Sequence, residues 1–505
     1  MNSNHETGAQ LGETIGNTIT DGSDGSPEPL GKIPVQSGTV AAEEVDPIIE
    51  EFGPLLAFDE DGNIKLNHIA IAAKFTRDGQ ICFDQQAEHF RKYNSVTGAS
   101  EALTDGKAKL LLGAFLKELA VEVDAPALLM MRTNSLLGSI LSLARGHALM
   151  GEREAASGPV IHCANGMLDL TGGKPVLREF HPNYWSKTAG SISYNANAKC
   201  ERFQSELLKS ALSAEDISLL QRYLGAVLMG LNAAQRFLVL YGEAASGKST
   251  LVKLLERIIG LVLVATLRTI HLSGRFETHG FQGKSLLTAK DVASDFLAHS
   301  AAKAIKGLIG DDAFETEKKY GGKSQLVGNR NVLVTSNARL RLSLDEDEAA
   351  WRRRLLVIHF KRAEGTKRVT NFADVLLKEE SEGILAWVVE GAVKHLEELK
   401  DHGDFKLTQN QHDQVASWIL ESRSVEEFVE SSVAKKDKAN VTVDELLAGY
   451  FDYCREKQWS PVSAREFTVK LGDMMIRIHG VHKRNDIVRG AKSARGFKGV
   501  ALSSK

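Results

Sequence analysis

The stretch Leu238-Val-Leu-Tyr-Gly-Glu-Ala-Ala-Ser-Gly-Lys-Ser-Thr250 leaves the chain little freedom, because an apolar run gives way to a loop of small residues and then to the start of a helix. From Gly242 to Ser249 it fits G-x-x-x-x-G-K-[ST], the pattern of a phosphate-binding loop. The glycines allow a backbone whose N–H groups converge on a polyphosphate, here along Gly242, Glu243, Ala244, Ala245, Ser246 and Gly247. Lys248 adds a charge at the β/γ oxygens, Ser249 offers a hydroxyl to Mg²⁺, and Thr250 completes the nucleotide-binding set. Leu251, Leu254, Leu255 and Ile258 recur at helical spacing, which is the context the pattern requires.

Three further apolar runs read as buried strands: Ser285 to Ala289, Asn331 to Ser336 and Arg354 to His359. Strands alternating with helices imply an α/β fold built on a parallel sheet. Ligands of such sheets sit at the carboxyl ends of strands, so the residues after each run are the ones to inspect. Asp291 stands where nucleotide hydrolases place an acid that holds the Mg²⁺ shell or polarises water. Its neighbour is Lys290 rather than a second acid, which leaves Asp295 or Glu277 for that part. Asn337 ends the next run, where an amide can orient water or simply cap a turn. Arg352, Arg353 and Arg354 precede the last run; an arginine there can serve a neighbour's γ-phosphate or pair with Asp345, Glu346, Asp347 or Glu348. In trans, such a role demands a head-to-tail ring. Between Ala313 and Arg330, Tyr320-Gly-Gly-Lys323 reads as a hairpin tip flanked by Lys318 and Lys319, fit to grip phosphates or merely solvated.

The net charge of −3 conceals a polar arrangement. Residues 1–51 carry ten acids and one lysine, whereas residues 461–505 carry ten Lys/Arg and three acids. The first segment, rich in Gly, Ser and acids, is expected to be disordered. The four cysteines form no Cys-x-x-Cys pair, so a zinc ribbon is unsupported. No run of ~18 apolar residues occurs and no leader is evident, so an intracellular, cytoplasmic protein without a membrane span is expected. Upstream, Ile81 to Phe83 reads as a strand, Lys107 to Leu119 as a helix with Leu110, Leu111, Leu112 and Phe115 inward, and Asn165 to Gly173 as a hairpin. Ser213 starts a helix that runs to Gly230.

The order of motifs resembles the superfamily 3 helicases of the phage and plasmid primase-helicase type, related to the poxvirus enzyme. The resemblance rests on Asn165-Gly-x-Leu-Asp-Leu, Leu220-Gln-Arg-x-Leu-Gly225, the phosphate loop, Leu286-Leu-Thr-Ala-Lys-Asp291, Ile305-Lys-Gly-Leu-Ile-Gly-Asp-Asp312, Lys319-Tyr320, Thr335-Ser-Asn337, Trp351-Arg-Arg-Arg-Leu355 and Gly383-Ile-Leu-Ala-Trp387. It implies a hexameric ring that hydrolyses ATP with Mg²⁺ and moves along single-stranded or forked DNA. Lys248 then serves the phosphates, Ser249 and Asp291 the metal, Asn337 the sensor position and Arg353 or Arg354 the finger, while Lys319 or Lys323 touches DNA. Asp311 departs from the family, which usually has a second glycine there.

The implied division is an acidic tail (1–54), an α+β domain (55–205), an AAA+-like P-loop domain (206–395), a linker (396–422) and a winged-helix DNA-binding domain (423–505). In the last, Ser463-Ala-Arg-Glu466 fits a capping box, followed by Arg477, Lys483, Arg484, Arg489, Lys492, Arg495 and Lys498. Priming activity is not expected, so a separate primase or polymerase would be a partner. An ATP-driven helicase of phage, prophage or plasmid replication is the leading reading. A DNA-binding switch or defence factor that uses ATP without unwinding is the alternative. A metabolic kinase has no need of the arginine cluster or the basic end.

Overall fold

A computed structural model describes residues 46–503 apart from residues 86, 149–158, 185, 231, 268–277, 299, 311, 318–322, 345–347, 363–368 and 491. The acidic stretch 1–45, Glu277, Asp311, Lys319, Asp345, Glu346 and Asp347 therefore lie outside the described residues.

The first unit holds α1 (Pro47–Phe52), β1 (Leu56–Phe58), β2 (Ile64–Leu66), α2 (His68–Asp78), β3 (Ile81–Asp84), β4 (His89–Tyr93), β5 (Ser100–Leu103), α3 (Asp105–Glu122), α4 (Leu128–Met131) and α5 (Asn134–His147). Ile71, Phe75, Leu112, Leu116 and Ile140 are at its centre. Two expectations change here. The expected tail, 1–54, reaches into α1, which forms because Asp46 caps it and also receives Arg77 at 2.6 Å and Lys74 at 3.1 Å. Leu110 faces outward, 76% exposed, because Leu112 and Leu116 already occupy the inner face of α3.

A meander of β6 (Val160–Cys163), β7 (Gly166–Asp169) and β8 (Val176–Arg178) precedes a π-helical turn over Phe203–Leu208 and α6 (Ala214–Met229). Ile161, Leu168 and Phe203 join the core of the following sheet, while the stretch between them also touches the first unit, His162 meeting the Thr97 carbonyl at 2.7 Å and Ser186 bridging Ala99. Ser213 caps α6, and Gly230 ends it in the left-handed region.

The sheet contains β9 (Phe237–Tyr241), β10 (Val264–Thr266), β11 (Leu286–Val292), β14 (Asn331–Ser336) and β15 (Leu355–His359), all parallel, in the order β10-β11-β14-β9-β15. Between them lie α7 (Lys248–Ile259), α8 (Ser300–Ile309), the hairpin β12 (Ala313–Glu317) and β13 (Lys323–Val327), and α9 (Glu348–Arg354). All of β9 and β14 is buried, as expected for strands covered on both faces. Period-2 alternation divides the coverings: Leu238, Leu240, Leu333 and Ile358 face α6, α7 and α10 (Phe372–His402), whereas Phe237, Val239, Val334 and Val357 face the layer containing Trp351 and Trp418. Trp418 belongs to α11 (Gln409–Ser422), where Val415, Trp418 and Ile419 make one buried stripe. Residues 396–422 are thus no linker. They finish α10 and form a helix that covers the sheet.

The last unit comprises α12 (Ser424–Ser432), β16 (Val433–Thr442), α13 (Val443–Lys457), α14 (Ala464–Met474), β17 (Arg484–Arg489) and β18 (Lys492–Leu502), with strand order β16-β18-β17. Ser463 accepts the Glu466 N–H and starts α14. Much of the basic charge is spent internally: Arg477 meets Glu426, Arg484 and Lys498 meet Asp486, and Arg489 meets Glu445. Arg465, Lys483, Lys492 and Arg495 are exposed with no ion pair among the described residues. No helix among the described residues is long and apolar enough to cross a membrane.

One buried histidine ties stability to pH. His395 is 0% exposed, stacks on Phe405 at 4.1 Å, and neither ring nitrogen has a hydrogen-bond partner. Burial, aided by the charge of Arg222, pushes its pKa from 6.5 down to about 4. The unfolded chain therefore binds a proton below 6.5 that the native protein refuses until about 4. The contribution is fully present above the unfolded value and is lost as pH falls, amounting to about 3 kcal/mol. The denaturation midpoint should drop across that window, and His395→Phe should flatten the drop. An unchanged pH profile in the variant would contradict this.

Candidate functional site

Strand β9 delivers the chain to the carboxyl edge of the sheet, where the loop 242–247 turns it into α7. Gly242 has φ 142° and Gly247 φ 103°. A Cβ on Gly242 would lie 2.0 Å from the Phe360 carbonyl oxygen, and one on Gly247 2.9 Å from Leu207 Cδ1. Both positions therefore disfavour side chains by conformation, and Gly242, against backbone, by space as well. No side chain caps α7, so its first N–H groups and the positive end of its dipole are presented to the loop. That is the construction of an anion site at a helix amino terminus.

Lys248 is only 3% exposed, and its Nζ donates to the carbonyls of Gly242 at 2.6 Å and Glu243 at 2.8 Å, and to Ser246 Oγ at 3.2 Å. Burial lowers its pKa, while the negative charge of Asp291 opposes that shift. The two residues named from separate motifs thus feel each other electrostatically.

Asp291 sits on an irregularity of β11, where the register with β14 shifts between Ala289 and Val292. Its φ of 50° is unusual for a residue other than glycine, a conformation that costs about 1–3 kcal/mol and persists only when neighbours hold it. Thr335, 1% exposed on β14, holds it by accepting the Asp291 N–H at Oγ1 over 2.9 Å. Lys290 pairs instead with Glu256 of α7 at 2.7 Å, and so leaves Asp291 as the acid at this edge. Asn337 follows β14 at the same edge and is exposed. Asp295 is exposed in the turn beyond β11. Thr335→Val removes the acceptor at nearly constant shape. It should lower kcat by ~10-fold, by displacing Asp291, while leaving nucleotide affinity to the loop. Steady-state kinetics giving an unchanged kcat would remove Thr335 from the site.

Ser249 and Asp291 are exposed oxygen donors at this edge, and no group of three or more His, Cys, Asp or Glu residues suited to a metal occurs among the described residues. The set fits Mg²⁺, which takes few protein ligands and completes its shell with phosphates and water.

Sequence reasoning passed over three residues beside the loop. His359 ends β15, stacks on Tyr241 at 4.5 Å, and has its pKa lowered by burial, then by Lys361 and Arg339. Arg339 donates to Ser417 Oγ at 3.0 Å and meets Glu421 at 3.2 Å. Thr335 is the third. His359 and Thr335 sit in the last two positions of their runs, so inspecting the strand ends as well as the residues after them would have found both.

The arginines lie elsewhere. Leu355 pairs with Phe237, so α9 ends at the amino edge of the sheet, whereas the loop opens after Tyr241. The five-residue strand β9 separates the two edges by roughly 16 Å. Arg352 pairs with Glu348 at 2.6 Å; Arg353 is exposed with no ion pair among the described residues; Arg354 is half-buried with Nε lacking a partner. The hairpin β12–β13 exists, with Glu317 opposite Lys323. Lys323 begins its return strand, and Lys319 lies outside the described residues.

A family of unknown function (DUF5906) matches residues 240–354, the span from the end of β9 to the end of α9. No curated protein matches the chain. Among solved structures, an A-form apo structure of the NrS-1 C terminal region superposes with a TM-score of 0.43 at 11% identity, covering 85% of this chain and 98% of that one. A second apo structure of the NrS-1 C terminal region (305–718) gives 0.41 at 10% identity, covering 85% and 98%.

Proposed function

We propose that the chain is an ATP-hydrolysing DNA motor of the superfamily 3 helicase type, whose sites are completed between subunits of a ring. The observation that carries this reading is the placement of Arg353 and Arg354 at the sheet edge opposite the phosphate loop. Within one chain they cannot serve that loop. In a head-to-tail assembly, the amino edge of one subunit faces the carboxyl edge of the next, and an arginine there meets the neighbour's γ-phosphate.

In this reading the loop 242–247 and the first turn of α7 bind the triphosphate. Lys248 exchanges its carbonyl partners for β/γ oxygens, and Asp291, fixed by Thr335, faces the attacking water with Asn337 beside it. Ser249 and Asp291 would hold Mg²⁺, which would supply charge neutralisation to the triphosphate. The P-loop core is AAA+-like, and residues 423–505 are a winged helix in which β17–β18 is the wing. Arg465, Lys483, Lys492 and Arg495 are its free cations for DNA phosphates, fewer than the raw charge suggests. Lys319 and Lys323 contact the translocated strand. A separate primase or polymerase supplies priming.

The test is Mg·ATP turnover with and without single-stranded DNA. Stimulation by DNA is expected, and no turnover under either condition would refute the reading.

A further inference from the structure

Arg236 is the last residue before β9. The register that sets Phe237 beside Leu355 sets Arg236 beside the end of α9. The residue is 5% exposed, and each of its guanidinium nitrogens has an acceptor. Nε donates to Asp404 Oδ1 at 2.9 Å, a terminal nitrogen donates to Asp404 Oδ2, and the other donates to the Arg352 carbonyl at 3.1 Å. That carbonyl is among the last of α9, which ends at Arg354 and offers it no helical N–H. On the other side of α9, the Trp351 indole donates to the Ser343 carbonyl at 2.6 Å. The turn that bears the arginines is therefore anchored at two points.

With Asp404 half-buried, the Arg–Asp fork adds little net stability over apolar side chains of similar volume. What it adds is direction, because the planar guanidinium fixes two acceptors at once. We propose that Arg236, braced by Asp404, is a positioning residue that holds the end of α9 so that Arg353 and Arg354 stand where a neighbouring subunit's phosphate loop needs them. The inference rests on the shared-site reading. It also makes β9 a rigid bar joining the loop that a subunit uses to the arginines it lends.

The test uses the full-length chain carrying Asp404→Asn, with Arg236→Lys as a second variant that keeps the charge but cannot span both acceptors. Thermal melting selects the preparations that are folded. Each folded variant should bind a non-hydrolysable Mg·ATP analogue as the wild type does, and turn over ATP ~10–100-fold more slowly. The discriminating readout is complementation. An equimolar mixture with Lys248→Ala, which has intact arginines, should recover activity, whereas a mixture with Arg353→Ala, Arg354→Ala should not. Wild-type turnover, loss of nucleotide affinity in step with turnover, or recovery with the arginine variant would overturn the proposal. If Lys248→Ala and the arginine double variant fail to complement each other, the shared-site reading itself falls.

Discussion

Lys248→Ala should lower DNA-stimulated ATP turnover by ~10²–10³-fold, the cost of removing one preorganised charge from a developing phosphoryl transition state. Lys248 is nearly inaccessible, its ammonium held by the Gly242 and Glu243 carbonyls that shape the loop. Among the described residues nearby, Arg339 is tied to Glu421 and Lys290 to Glu256. The truncation leaves two loop carbonyls to water, so the fold should survive and the chemistry should not. Phosphate-release kinetics check this, and near-normal turnover would reject the site.

Arg353→Ala, Arg354→Ala should be comparably severe, ~10³-fold, because a trans arginine acts on charge that appears only in the transition state. It should also be curable. Mixed at equal amounts with Lys248→Ala, about one interface in four joins an intact loop to intact arginines in a randomly assembled ring. Activity should rise well above either parent. A mixture no better than its parents would mean that each subunit hydrolyses alone, which the roughly 16 Å between the sheet edges makes hard to reconcile with any arginine role.

The loop and the sheet were legible because their signals are local. The run before Gly242 and the stripe of Leu251, Leu254, Leu255 and Ile258 each declare their element within a few residues, and three further apolar runs became strands. What was hidden depends on contacts distant in sequence. Thr335 carries no sign that its hydroxyl receives the Asp291 N–H across the sheet. Nothing beside Arg236 in the sequence points to Asp404, which closes its fork from far along the chain. Helix α11 was missed because Val415, Trp418 and Ile419 are spaced among Gln, His and Asp, and α1 because its acids resemble the tail before it. The basic end misled by arithmetic, since several of its cations are neutralised by neighbours that a charge count cannot pair.

A motor separates strands, and the direct measurement is strand separation on a forked duplex, made with a preparation whose oligomeric mass is determined alongside. The expected result is separation that requires hydrolysable ATP, is carried by a ring-sized species, and is lost with Lys248→Ala. ATP-dependent binding to the fork without separation, or full activity in a monomer, would contradict the account.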